Sequence, residues 1–195
     1  MTTWTASVGE ILDLSADALI CSANPQLNLS GGVGGEFLLR YGESMQRYLH
    51  DWLRRSARRF VMPGTVVVAP PCGSPFRVVL HAVAIDAFYD TSADVIAETY
   101  GNAFAEASRM GCRTIASACL ACGYGRATPE MFVAAIRRYV AGSIAGIDRV
   151  ELRSTNADVV KAVREAIEPG TGEPSHAREA AEALRMKSTS HAPPA

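Results

Sequence analysis

Apolar residues in this chain fall into short, nearly continuous runs, separated by longer stretches in which they recur every three or four positions. The runs predict buried strands and the recurring spacing predicts helices packed on them. Positions 16–23 (Ala-Asp-Ala-Leu-Ile-Cys-Ser-Ala) read as a strand. Positions 37–59 read as helical with a break near Gly42, and Leu38, Leu39, Met45, Leu49, Trp52 and Leu53 supply the apolar face. A β-branched run at 64–69 is stopped by Pro70-Pro71, as strand chemistry requires. Another valine-rich strand is expected over 77–85, and a helix over 92–110 with Ile96, Tyr100, Phe104 and Ala107 at helical spacing. A strand over 114–120 comes next. Thr128-Pro129-Glu130 then supplies a hydroxyl N-cap, a proline at the first helical position and an acidic first turn, which predicts a helix to about residue 140. A strand over 149–153 and a helix over 157–167 complete the series. Strands alternating with helices predict an α/β fold, a three-layer α/β/α sandwich around a central sheet.

After Glu168 the composition turns to Pro, Gly, Ser and Thr around one Ala/Glu-rich stretch, 177–186. The expectation is one domain over 5–167, then a flexible C-terminal tail over 168–195 with at most one marginal helix. The 195 residues are enough for a single well-buried core. A net charge of −1 gives no electrostatic basis for general nucleic-acid binding. No apolar run approaches the roughly 18 residues of a membrane span, and the first residues lack the basic-then-apolar order of a signal peptide. A cytoplasmic protein is expected. Five cysteines, an odd number, argue against a disulfide framework. Cys119 and Cys122 form a CxxC open to a redox or zinc reading. No second CxxC or close histidine pair supports it, and neither a metal nor a cofactor is expected.

The candidate chemistry lies in two glycine-bearing loops about a hundred residues apart. The first, Asn24-Pro25-Gln26-Leu27-Asn28-Leu29-Ser30-Gly31-Gly32-Val33-Gly34-Gly35, leaves an apolar run and enters a helix. The second, Leu120-Ala121-Cys122-Gly123-Tyr124-Gly125-Arg126, does the same. Such loops turn several backbone N–H groups toward one point at a helix N-terminus, a cradle for phosphate. The first is neither a dinucleotide fingerprint, since Phe37 stands where the third glycine belongs, nor a P-loop, since no Gly-Lys-Ser/Thr follows. Two facing cradles suit a diphosphate.

The ordered combination resembles the macrodomain, an ADP-ribose-binding module. The matching stretches are Gly9-Glu10-Ile11, Cys21-Ser22-Ala23-Asn24, Ser30-Gly31-Gly32-Val33-Gly34-Gly35, Val78-Val79-Leu80-His81-Ala82-Val83 and Cys122-Gly123-Tyr124-Gly125. The resemblance implies a central mixed sheet with ADP-ribose lying across a cleft at the strand C-terminal ends. Glu10 would accept from the adenine amino group and the Ile11 N–H would meet the purine edge. Ala23 and Asn24 would lie by the distal ribose. Gly31, Gly32, Val33 and Gly34 would line one side of the phosphates, and Ala121, Cys122, Gly123, Tyr124, Gly125 and Arg126 the other, with the Tyr124 ring on the distal ribose. The partner implied is ADP-ribose or an ADP-ribosylated substrate, and the activity its binding and hydrolytic release, or binding alone. Members that remove ADP-ribose often carry an aspartate where this chain has Gly34. Its loss leaves Asn24, with Glu36 as local substitute, to support catalysis, unless a substrate phosphate orients the water. Glu36 also suits the first turn of a helix without any catalytic part. His81 reads as a structural strand histidine, and Gln26 and Asn28 as polar loop residues within reach of the ribose. Arg54, Arg55, Arg58 and Arg59 form a basic cluster, a solvated face unless it rims the cleft.

Overall fold

The computed structural model describes residues 1–168; the expected tail, with its 177–186 helix, lies outside the described residues. The strands are β1 (Thr3–Val8), β2 (Ala18–Ser22), β3 (Val66–Ala69), β4 (Val78–Ala82), β5 (Thr114–Ala118) and β6 (Arg149–Ser154). The helices are α1 (Gly32–Tyr41), α2 (Ser44–Arg55), α3 (Ala93–Arg109), α4 (Pro129–Val140) and α5 (Ala157–Ile167), with one 3-10 turn at Ile11–Asp13. The sheet order is β1-β6-β5-β2-β4-β3. Every neighbouring pair is parallel except β3 with β4, which makes the sheet mixed.

Strand β2 shows how the sequence builds three layers. Its residues are buried on both faces, so it reads as a continuous apolar run. Ala18 and Ile20 join the core under α3, α4 and α5, which holds Trp4, Tyr100, Phe104 and Phe132. Leu19 and Cys21 join the opposite core under α1 and α2, which holds Phe37, Met45, Leu49 and Phe76. The Asp17 carboxylate accepts from the Arg113 and Thr114 N–H groups at 2.8 and 3.0 Å. These bonds hold it below the usual carboxylate range and fix the start of β2 against that of β5.

Helix starts follow the capping residues. Ser92 Oγ accepts from Val95 N–H and Thr128 Oγ1 from Met131 N–H, both at 3.2 Å, with Pro129 in the first turn of α4. Two features differ from the sequence expectation. Strand β1 was not foreseen: in Thr-Trp-Thr-Ala-Ser-Val only Trp4 is buried, because it is an edge strand paired with β6 alone. Helix α1 begins at Gly32 rather than Phe37, so the glycines of the first loop form its first turn. Glycine has poor helix propensity, so the local pattern hides this first turn, which has no side-chain cap.

Candidate functional site

The two glycine loops leave β2 and β5, neighbours at the centre of the sheet. Between these strands the chain connections diverge, to β4 and β3 on one side and to β6 and β1 on the other, which is where open α/β sheets form a crevice at their C-terminal ends. A cleft of about 620 Å³ occupies this place. It is lined by Glu10 and Ile11, by Ala23 and Asn24, by Gly31, Gly32, Val33, Gly34 and Glu36, and by Ala121, Cys122, Gly123, Tyr124 and Gly125. Of the residues expected to reach the ligand, Gln26 and Arg126 lie outside its walls. The Arg126 guanidinium pairs with Asp90 at 2.8 Å and its N–H donates to the Tyr89 carbonyl, tying the second loop to the 86–90 loop.

The close approaches explain the glycines. A Cβ at Gly125 would stand 2.4 Å from the Ala121 carbonyl oxygen and 2.9 Å from Ile85 Cγ2, so no larger residue fits the second loop without moving backbone. A Cβ at Gly31 would stand 2.5 Å from the Tyr124 hydroxyl oxygen and 2.7 Å from its ring. Tyr124 therefore lies across the groove against the first loop. At Gly34 a Cβ would come within 3.2 Å of Leu29 Cα, so the Leu29 backbone presses on the position for which the resemblance implies an aspartate.

Neither expected catalytic side chain is unencumbered. Asn24 Nδ2 donates to the Asn28 carbonyl at 2.8 Å and Asn24 Oδ1 accepts from Asn28 N–H at 3.1 Å, so its amide braces the loop. Glu36 Oε1 accepts from Arg40 Nε at 2.7 Å, and Arg40 also reaches Asp13 at 2.6 Å. The loop is gripped from behind by α2. Gln46 Oε1 accepts from Leu29 N–H at 2.7 Å and Gln46 Nε2 donates to the Leu27 carbonyl at 3.0 Å, one bond on each side of Asn28. His50 Nε2 lies 3.0 Å from Asn28 Oδ1 and 2.9 Å from Gln46 Nε2.

Several lining residues were missed in the sequence. Arg153, Ser154, Thr155 and Asn156, at the end of β6, close the cleft beside Glu10. Arg153 donates to Ser7 Oγ at 2.9 Å, Glu151 Oε1 at 3.2 Å and the Glu10 carbonyl at 3.4 Å, which fixes its guanidinium plane. The signal was a polar Arg-Ser-Thr-Asn run leaving the last strand at the cleft end of the sheet. Ile85 and Tyr89, beyond β4, complete the opposite rim. Cys119 and Cys122 also line the cleft, but burial pushes both thiols up, Cys122 to about 12, so neither is a thiolate near neutral pH. Among the described residues no three His, Cys, Asp or Glu side chains are placed to hold a metal ion. His81 is fully buried on β4 with both ring nitrogens unpartnered, and burial lowers its pKa to about 4. No helix among the described residues is long and apolar enough to cross a membrane.

Comparison with known proteins agrees with this architecture. An uncharacterized protein of Pyrobaculum aerophilum is 29% identical over 147 residues, 73% of this chain and 78% of that protein. An uncharacterized protein of Mycobacterium tuberculosis is 25% identical over 139 residues, 69% of this chain, which spans only 37% of that longer relative. The structure of the Trypanosoma brucei macrodomain in complex with ADP-ribose superposes with a TM-score of 0.70 at 20% identity, covering 85% of this chain and 69% of that one. The family model described as Macro domain matches residues 20–136, from within β2 through the first loop, the second loop and most of α4. That span is more than half of the chain and carries both glycine loops, and the chain belongs to the Macro domain family.

Proposed function

We propose that the cleft binds ADP-ribose, with the glycine loops cradling its diphosphate. One observation carries this reading: two loops far apart in sequence face each other across a single cleft of about 620 Å³ and touch where Tyr124 meets Gly31. Amides at the start of α1 and along the second loop supply donors, and the α1 dipole adds positive potential. A family member in complex with ADP-ribose supports the choice of ligand. At one end the Glu10 carboxylate accepts from the adenine amino group and the Ile11 N–H meets the purine edge. Arg153, its plane fixed by three acceptors, borders the base. At the other end Ala23, Asn24, Asn28 and Tyr124 surround the distal ribose.

Recognition is the activity the geometry favours over fast hydrolysis. The Glu36 carboxylate is held by Arg40, the Asn24 amide braces its loop, and Gly34 offers no side chain. A second reading, slow hydrolytic release of ADP-ribose from a modified macromolecule, is favoured by the position of Asn24 in the cleft. In that step a water held by the ligand's own phosphate adds to the anomeric carbon. The bond to the acceptor breaks with its electron pair going to the acceptor, which takes up the proton the water loses.

Calorimetric titration with ADP-ribose tests the first reading, with Gly123→Glu as control. A Cβ at Gly123 meets nothing within 4 Å, so the new carboxylate fits the fold and enters the phosphate path. Saturable binding by the wild type, lost in the variant, is expected; no binding at millimolar ligand overturns the reading. ADP-ribose release from an ADP-ribosylated protein tests the second. Asn24→Ala is expected to slow release at least tenfold while Glu36→Gln leaves it unchanged, and no release by the wild type restricts the site to recognition.

A further inference from the structure

Cys119 and Cys122 stand at the two ends of one tight turn at the start of the second loop. Cys122 N–H donates to the Cys119 carbonyl at 3.2 Å, and Ala121 between them has a φ of 63°. Leu120 and Ala121 are therefore the corner of a β-turn whose second corner residue is left-handed, a position that favours glycine. A β-turn brings its first and last Cα atoms within about 7 Å, and disulfides span Cα separations of about 4.4–6.8 Å. The backbone is already set for a bond between these two residues.

The side chains agree with the backbone. Cys119 belongs to the core under α3, α4 and α5, Cys122 packs against that same core, and both line the cleft. Burial comes first among the causes that raise the Cys119 thiol, and the charge of Cys122 comes next. The other three cysteines are placed elsewhere: Cys21 and Cys72 with the α1–α2 core, and Cys112 before β5, at the opposite end of that strand. The turn itself is held in a sparsely populated shape. The Ala121 carbonyl accepts from Ala127 N–H at 3.3 Å and lies where only a glycine fits at position 125. Such a conformation persists only where its surroundings over-determine it, and a covalent tie across the turn adds one more constraint.

From this geometry we propose that Cys119 and Cys122 are a site of reversible disulfide formation in the wall of the cleft, and that the bond braces the second loop for the ligand's diphosphate. The effect on binding rests on the ADP-ribose reading of the cleft; the bond itself does not. The oxidant is a low-molecular-weight disulfide such as glutathione disulfide. The thiolate of Cys122, the more exposed of the two, attacks one of its sulfurs and expels one small thiolate. The Cys119 thiolate then attacks the Cys122 sulfur of the mixed disulfide, and the second small thiolate leaves. The two cysteines give up two electrons and two protons, and the small disulfide is reduced to two thiols. Burial of both thiols slows this exchange near neutral pH. It also denies the reduced pair the thiolate stabilisation that makes some CxxC pairs strong oxidants, which favours the disulfide at equilibrium. A braced turn has fewer loop conformations for the ligand to freeze out, so binding costs less. By linkage, bound ligand makes the disulfide harder to reduce by the same factor.

The test equilibrates the full chain in buffers of set glutathione to glutathione disulfide ratio, quenches in acid and alkylates the remaining thiols for mass spectrometry. The expected product is an internal disulfide mapped to Cys119 and Cys122, with Cys21 and Cys112 recovered as thiols. Calorimetry on the separated forms should show the oxidised protein binding ADP-ribose about threefold tighter than the reduced one, a modest gain from preorganisation. Cys119→Ala and Cys122→Ser, treated alike, should form no internal disulfide and show no such gain. Glutathione adducts without an internal bond, a disulfide mapped to other cysteines, or an oxidised form that binds ADP-ribose no more tightly than the reduced one overturns the proposal. Failure of both forms to bind ADP-ribose overturns the reading of the cleft instead, and the mapping still decides whether the pair is a disulfide site.

Discussion

Ala121 and Gly125 pass so close to one another that the second loop has room for hydrogen alone at position 125. Gly125→Ala should destabilise the fold by about 1–3 kcal/mol, as overpacking against backbone does. Urea denaturation would register this as a lower midpoint, and calorimetry would register weaker ADP-ribose binding. His81 behaves differently, because it is buried without a hydrogen-bond partner on either ring nitrogen. Its pKa is about 4 in the fold against 6.5 for the free side chain, so the unfolded chain binds the extra proton first as pH falls. Its contribution is constant above about pH 6.5 and is lost on acidification toward pH 4, by about 1.4 kcal/mol for each pH unit well inside that window. His81→Leu should remove most of this acid sensitivity and be more stable than the wild type at pH 5, read from urea midpoints at pH 7.5 and pH 5. Equal acid sensitivity in both proteins would show that other groups carry it.

At the scale of elements, α2 holds the first loop by side chains rather than by backbone. Gln46 brackets Asn28 and His50 meets its side chain, so loop order is set by residues that do not line the cleft. Gln46→Ala should weaken ADP-ribose binding about 3–10-fold, the worth of one or two hydrogen bonds of roughly 0.5–1.5 kcal/mol. Calorimetry would check this, and an unchanged affinity would mean that the loop keeps its shape without the clamp. The strands were legible where both faces are buried: β2, β4 and β5 are apolar runs because helices cover both sides. Strand β1 was not, since an edge strand alternating threonine and serine with one buried tryptophan presents no such run. Much of the candidate site was legible for a related reason. Backbone cradles require glycine, and glycine is visible in sequence, whereas Arg153 reaches the cleft only through the pairing of β6 with β5 and β1. The Glu36–Arg40 pair and the Asn24 brace are contacts between side chains and folded loops, which spacing alone does not reveal.

Over the whole molecule, the cleft draws its walls from residues between Gly9 and Asn156 and joins five parallel strands at one end of the sheet. A ligand that binds only this assembled state stabilises all of it. ADP-ribose at a hundred times its dissociation constant should add about 2.7 kcal/mol. For a domain of this size that corresponds to a rise in melting temperature of about 5–10 °C. Thermal unfolding with and without ligand would check this, and Gly123→Glu should show no rise. The antiparallel placement of β3 has a separate consequence. Had β3 run parallel to β4, its entry would lie at the far end of the sheet, and the stretch from α2 would never visit the ligand side. Reversing this single edge strand turns a connector into frontage, exposed from Ser56 to Phe60 and anchored to the α2-side core by Val61. The cleft and this frontage can therefore vary separately, since substitutions between Ser56 and Phe60 reach neither core.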